Sequence, residues 1–182
     1  MLFAKSTLPT DVQTFIGKLT QLDLEPIAYE LIYSNKDKWN IEKTNQAISR
    51  YLMFLLLIYL YPNGQLVPSQ EIDRVWHYHI IDTIKYTEDC EILFGKFIHH
   101  FPYLGKRGKI DQDNLQTAFE KTQVLFEEHF GIAMDILNEP SEAADCQPIG
   151  RITQLTRPRV DIGEVFSYLD GKPDKSTIMR GV

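Results

Sequence analysis

Four of the chain's five histidines and one of its two cysteines fall between Val75 and His100. They occur as Val75-Trp76-His77-Tyr78-His79, then Cys90, then His99-His100. Imidazole and thiolate are preferred ligands of zinc and other first-row metals, and imidazole also exchanges protons near neutral pH. Spacing sorts these candidates. His77 and His79 are two residues apart, so a regular helix turns them about 200° from one another and they do not easily share one ion. Asp73 and His77 are four apart, which lets the carboxylate orient the imidazole from behind, while His79 and Asp82, three apart, share a face. His99 and His100 are adjacent, so only one of them faces a given ion. The assembled site takes His77 with one or both of His99 and His100, adds His79 and Cys90 as further partners, and sets Asp73 and Asp82 behind them. Zinc or iron is the expected metal.

The same residues have a second reading. Histidine is tolerated in a core when its ring nitrogens are hydrogen-bonded, so Trp76-His77 beside isoleucines can equally be a polar contact that fixes how two helices pack. Cys90, standing alone, behaves as a small apolar side chain unless its surroundings depress its pKa. His129 lies far from the cluster and reads as a core or helix-end histidine. Other catalytic patterns are missing: no glycine-rich phosphate loop, no Gly-x-Ser-x-Gly elbow, no paired zinc-finger cysteines, and no two-helix Glu-x-x-His repeat. A Cys-His nucleophile built from Cys90 with His77 or His99 lacks the small neighbours such a group occupies.

The elements that must position these residues are helical. Leu8-Pro9-Thr10-Asp11 is a helix start, with Val12, Phe15, Ile16 and Leu19 on one face. Glu25-Pro26 opens a short second helix that Ser34-Asn35 stops. Asn40 caps a third, Asn40 to Tyr61, whose second half (Tyr51 to Tyr61) is apolar all round. That run is about half of the ~20 residues a membrane span needs, so it reads as a central core helix. Pro62-Asn63-Gly64 ends it, and Ser69 caps the histidine-bearing segment from Gln70, which runs to Gly95 as one helix or as two broken near Asp82-Thr83. Gly105-Lys106-Arg107-Gly108-Lys109 is an exposed basic connection. Asp111 or Asp113 caps a last helix ended by Gly131. The expected fold is all-α: a compact bundle over residues 1–138 around a central apolar helix. Residues 139–182, with prolines at 140, 148, 158 and 173, form an extended, partly disordered tail able to dock a protein partner.

Composition narrows the function classes. With 182 residues, 43% of them hydrophobic and 24% charged, the chain is long enough to bury a core without staples. A net charge of −6 argues against nucleic acid or an anionic membrane surface as partner. Two cysteines are too few for a disulfide framework, and Met1-Leu2-Phe3-Ala4-Lys5 is no signal-peptide start, so a reducing cytoplasm is expected.

Pro68, Asp73-x-Val75-Trp76-His77-x-His79, Tyr86, Asp89-Cys90 and Leu93-Phe94-Gly95 resemble the signature of the glycine-rich-domain-containing-protein-like family of plants and bacteria. Asp82-Thr83 and His99-His100-x-Pro102 resemble the continuation in bacterial members. The resemblance spans about residues 40–130. It implies a shared helical fold and a shared site but names no substrate, and the absence of a glycine-rich region leaves that region's role behind. Two functions stand open: a metal-dependent or metal-stabilised protein centred on His77, or a non-enzymatic interaction module whose histidines are structural.

Overall fold

In a computed structural model, residues 8–34 and 39–135 are described, and they form six helices and no strand. These are α1 (Thr10–Leu19), α2 (Glu25–Ser34), α3 (Ile41–Leu60), α4 (Gln70–Ile81), α5 (Thr83–Phe94) and α6 (Lys109–Phe130). The fold is all-α, as the periodicity indicates. The predicted tail lies outside the described residues, as does the stretch on which its partner docking was expected.

Local signals set most of the boundaries. The Asn40 side chain accepts from the Lys43 backbone N–H at 2.8 Å, and Ser69 accepts from Ile72 N–H, so orphan amides at the starts of α3 and α4 are satisfied. Gly95 (φ 64°) and Gly131 (φ 71°) close α5 and α6 in the left-handed conformation that favours glycine. Two boundaries differ from or refine the sequence reading. The histidine segment is two helices, because Asp82 (φ −76°, ψ 76°) leaves helical geometry and its carboxylate then accepts from Lys85 N–H at 3.3 Å. The last helix begins at Lys109 behind Gly108, earlier than a cap at Asp111 or Asp113; Asp111 sits in the first turn and accepts from the Arg107 backbone N–H at 3.1 Å.

α3 is the axis of the bundle. Every residue from Tyr51 to Leu57 is buried, because α1, α2, α4 and α6 all pack on it. That explains why this helix has no polar face over two turns: it has no side left to show to water. Among the described residues no helix is long and apolar enough to cross a membrane. α4 in turn lies on α2, α3 and α5, and α1 contacts α5, so α4 is pressed between the core helix and its successor. The turn after α3 is tied to α6 where the Val67 N–H donates to Thr122 Oγ1 at 3.0 Å.

Phe54 is fully buried on α3 and its ring lies 5.7 Å from that of Trp76 on α4. Phe54→Ala should therefore cost about 3–5 kcal/mol in urea unfolding, the range for an aromatic deleted from a packed core. A loss well below 1 kcal/mol would contradict α3 as the axis.

Candidate functional site

The site is built on α4, whose buried face is half polar: Glu71, Asp73 and His79 are buried together with Ile72, Val75, Trp76 and Tyr78. Buried polar groups require partners, and the partners come from three other parts of the chain. Two separate groups result.

In the first group, Asp73 presents one carboxylate oxygen to each of two imidazoles. His100 Nε2–H donates to Asp73 Oδ1 at 2.7 Å, and His77 Nε2 lies 3.6 Å from Asp73 Oδ2. The two rings stand edge to face with centroids 4.8 Å apart. One ligand atom from each of Asp73, His77 and His100 falls within 4.8 Å of the other two. Their side chains are 7%, 17% and 13% exposed, so the carboxylate is covered while both imidazoles reach the surface. Burial pushes the His77 pKa down; Asp73 works the other way, and His100 and Arg74 add to the lowering, which favours the neutral ring.

His100 is brought here by the segment after α5. The Trp76 indole N–H donates to Tyr86 OH at 2.9 Å, and Tyr86 O–H donates to the Ile98 carbonyl at 2.6 Å, which pins that segment against both helices. His100 then packs edge to face on Trp76 at 4.7 Å.

The second group surrounds His79, which is almost fully buried. Its Nε2–H donates to Asp89 Oδ2 at 2.9 Å, and in the neutral ring Nδ1 accepts from Tyr51 OH at 2.8 Å. Lys85 Nζ donates to the same Asp89 oxygen at 2.7 Å. Both imidazole nitrogens are thus occupied by internal partners, and the relay ties α3, α4 and α5 together. Burial alone would raise the Asp89 carboxyl, but the hydrogen bonds from His79 and Lys85 outweigh it and hold the carboxyl below its ordinary value.

The remaining candidates stand apart from both groups. Cys90 is a buried free thiol whose pKa burial pushes up, against hydrogen bonds from the Ile98 backbone and Tyr86. Asp82 is exposed and caps α5. His99 is exposed and touches the Phe97 ring at 5.0 Å. His129 pairs through Nε2 with Tyr61 OH at 2.7 Å. The structure therefore gathers Asp73, His77 and His100, and does not gather His79, Cys90, His99 or Asp82 with them. Spacing gave Asp73 next to His77; it gave no access to Asp89 and Tyr51 around His79, although Lys85 and Asp89 are four apart on α5 and form a recognisable helical ion pair.

A family model described as UCP032817-like matches residues 18–126, well over half of the chain. The chain belongs to the UCP032817-like family. The matched region contains all of α2 to α5 and both groups around α4, whereas His129 lies outside it. The chain is 36% identical over 90 residues to glycine-rich domain-containing protein 1 of Arabidopsis thaliana, covering 47% of this chain and 11% of that protein. It is 31% identical over 134 residues to glycine-rich domain-containing protein 2 of the same plant, covering 68% of this chain and 16% of that one. The resemblance seen in the sequence is thus upheld, and the UCP032817-like chain spans between a tenth and a sixth of the length of these relatives. No solved structure matches it significantly.

The His79 relay predicts a specific pH dependence. Because the folded Asp89 carboxyl titrates below its ordinary value of 3.8, the stabilisation is fully present above that value and is lost as pH falls through the folded one. Urea titrations of wild type and Asp89→Asn should differ least at the acid end of this range and most at neutral pH. Tyr51→Phe, which leaves His79 Nδ1 unpaired, should cost about 1–3 kcal/mol. Equal stability of these variants and wild type at neutral pH would contradict the relay.

Proposed function

We propose that Asp73, His77 and His100 hold a divalent transition metal, zinc or iron, and that the UCP032817-like domain acts through this centre. The observation that carries the reading is the convergence of one carboxylate and two imidazoles, from α4 and from the segment after α5, to within 4.8 Å of one another. Two histidines and one carboxylate form a donor set shared by hydrolytic zinc sites and by non-haem iron sites, both of which keep positions open for water or substrate. Bonds of ~2.1 Å in tetrahedral array set ligand atoms roughly 3.4 Å apart. Binding would draw the rings inward by about an ångström and replace the Asp73–His100 hydrogen bond with bonds to the ion. The lowering of the His77 pKa by burial favours this, since a protonated ring cannot ligate.

His79, Cys90, His99 and Asp82 are not part of this set in our reading. A cytoplasmic setting goes with it, supported by the free Cys90 thiol. Three ligands with open positions serve hydrolysis, hydration and oxygen chemistry alike.

A second reading, an interaction module with structural histidines, is favoured for part of the set by one observation: His79 spends both ring nitrogens on internal partners. It does not extend to the pair around Asp73, whose rings reach the surface.

Protein purified without a histidine tag should contain zinc or iron near one equivalent by elemental analysis. His77→Ala and His100→Ala should each weaken that binding at least tenfold, and affinity should drop as pH falls below the imidazole range. Metal-free protein that is folded and takes up neither ion on reconstitution would sink the proposal. If His79→Ala removed metal as effectively as His77→Ala without loss of fold, the assignment of ligands would be wrong.

A further inference from the structure

A cation stands beside the candidate metal centre on α4. At about 100° per residue, His77 is flanked around the helix by Asp73, about 40° to one side, and by Arg74, about 60° to the other. Arg74 and His77 are three apart, so their Cβ atoms lie roughly 5–6 Å from one another. Helical side chains lean toward the N-terminus, which carries the His77 ring back over both neighbours. Ile81, one turn beyond His77 on the same side, is 60% exposed, so this side of α4 opens to water.

Arg74 is partly buried, and unlike cations elsewhere in the fold it has no carboxylate partner. Lys85 is engaged by Asp89 at 2.7 Å and Arg107 by Asp111 at 3.5 Å. Among the described residues the Arg74 guanidinium forms neither an ion pair nor a hydrogen bond, even with Glu71, three residues before it on the helix. Its charge acts on the candidate site instead: after burial and His100, Arg74 is the remaining group that lowers the His77 pKa. A fixed positive charge at that place opposes uptake of a divalent ion, so for metal binding alone it is a cost. An anion bound to the ion reverses the sign. With Asp73 as the single carboxylate, a divalent ion keeps one unit of positive charge, and Arg74 adds another on the open side.

We propose that the centre of Asp73, His77 and His100 takes a substrate bearing an oxyanion, a carboxylate or a phosphate ester, which Arg74 binds beside the ion. A guanidinium is planar, presents paired N–H donors that match either group, and is weakly hydrated, so it suits this position better than an ammonium. Arg74 is a specificity-determining residue here and not a ligand of the metal. The inference rests on the proposed metal centre and names the class of substrate that centre accepts.

The test uses the full chain loaded with zinc, or with ferrous iron where zinc is not taken up. It is titrated calorimetrically with inorganic phosphate and separately with acetate, in chloride buffer of constant ionic strength. At least one of the two should bind, and the tighter identifies the group. Arg74→Gln should weaken that binding about tenfold or more, as expected for loss of a charge-assisted pair, with Arg74→Lys in between. Circular dichroism should be unchanged in both variants, since the guanidinium has no internal partner. Metal affinity should move the other way, unchanged or tighter in Arg74→Gln because a repelling charge has gone, whereas the ligand variants weaken it. Metal uptake by wild type without binding of either anion, equal anion binding by wild type and Arg74→Gln, or weaker metal binding in Arg74→Gln would overturn this inference and leave the metal centre standing. Failure of wild type to take up either metal would overturn both.

Discussion

The Asp73 carboxylate lies on the buried face of α4, and a buried charge must be compensated. Left unpaired, it would cost several kcal/mol of desolvation, so the fold has to bring donors to it. One, His77, is a turn away on the same helix. The other, His100, is 27 residues on, and it reaches Asp73 only because the chain after α5 folds back across α4. The path of that segment is thus tied to the need to satisfy one carboxylate.

The same constraint is met differently one residue turn around the helix. His79 points inward, towards α3 and α5, and its ring nitrogens are closed off by Tyr51 and Asp89, with Lys85 balancing the carboxylate. Two histidines two residues apart thereby take opposite roles. One is a cross-brace between three helices; the other sits at the edge of the core with its ring partly in solvent. Trp76 links the two groups, packing on Phe54 and on His100 while donating to Tyr86, whose ring stands edge to face on His79.

The rigid and the presented parts of the protein also meet here. α3, buried on all sides from Tyr51 to Leu57, fixes α4; α4 fixes Asp73, His77 and Trp76; these hold the segment from Lys96 to Ile110, whose outer side chains face water. The stretch that brings His100 to the proposed metal centre is therefore polar and paired on its inner side, while Phe97, Phe101 and Tyr103 are exposed on its outer side.

The sequence by itself determined the helices, because their signals are local. Asn40 and Ser69 cap where caps were expected, Gly95 and Gly131 terminate, and the unbroken apolar run of α3 requires burial whatever surrounds it. It also determined that His77 and His79 diverge, since that follows from helical pitch, and that Asp73 and His77 meet. Tertiary structure alone decided the rest. Choosing His100 over His99 depends on how the chain leaves α5, and pairing His79 with Tyr51 and Asp89 depends on packing across 28 and 10 residues, for which no periodicity speaks. The start of α6 at Lys109 was missed because Gly108 and the Arg107–Asp111 contact replaced the side-chain cap that Asp111 or Asp113 was expected to supply.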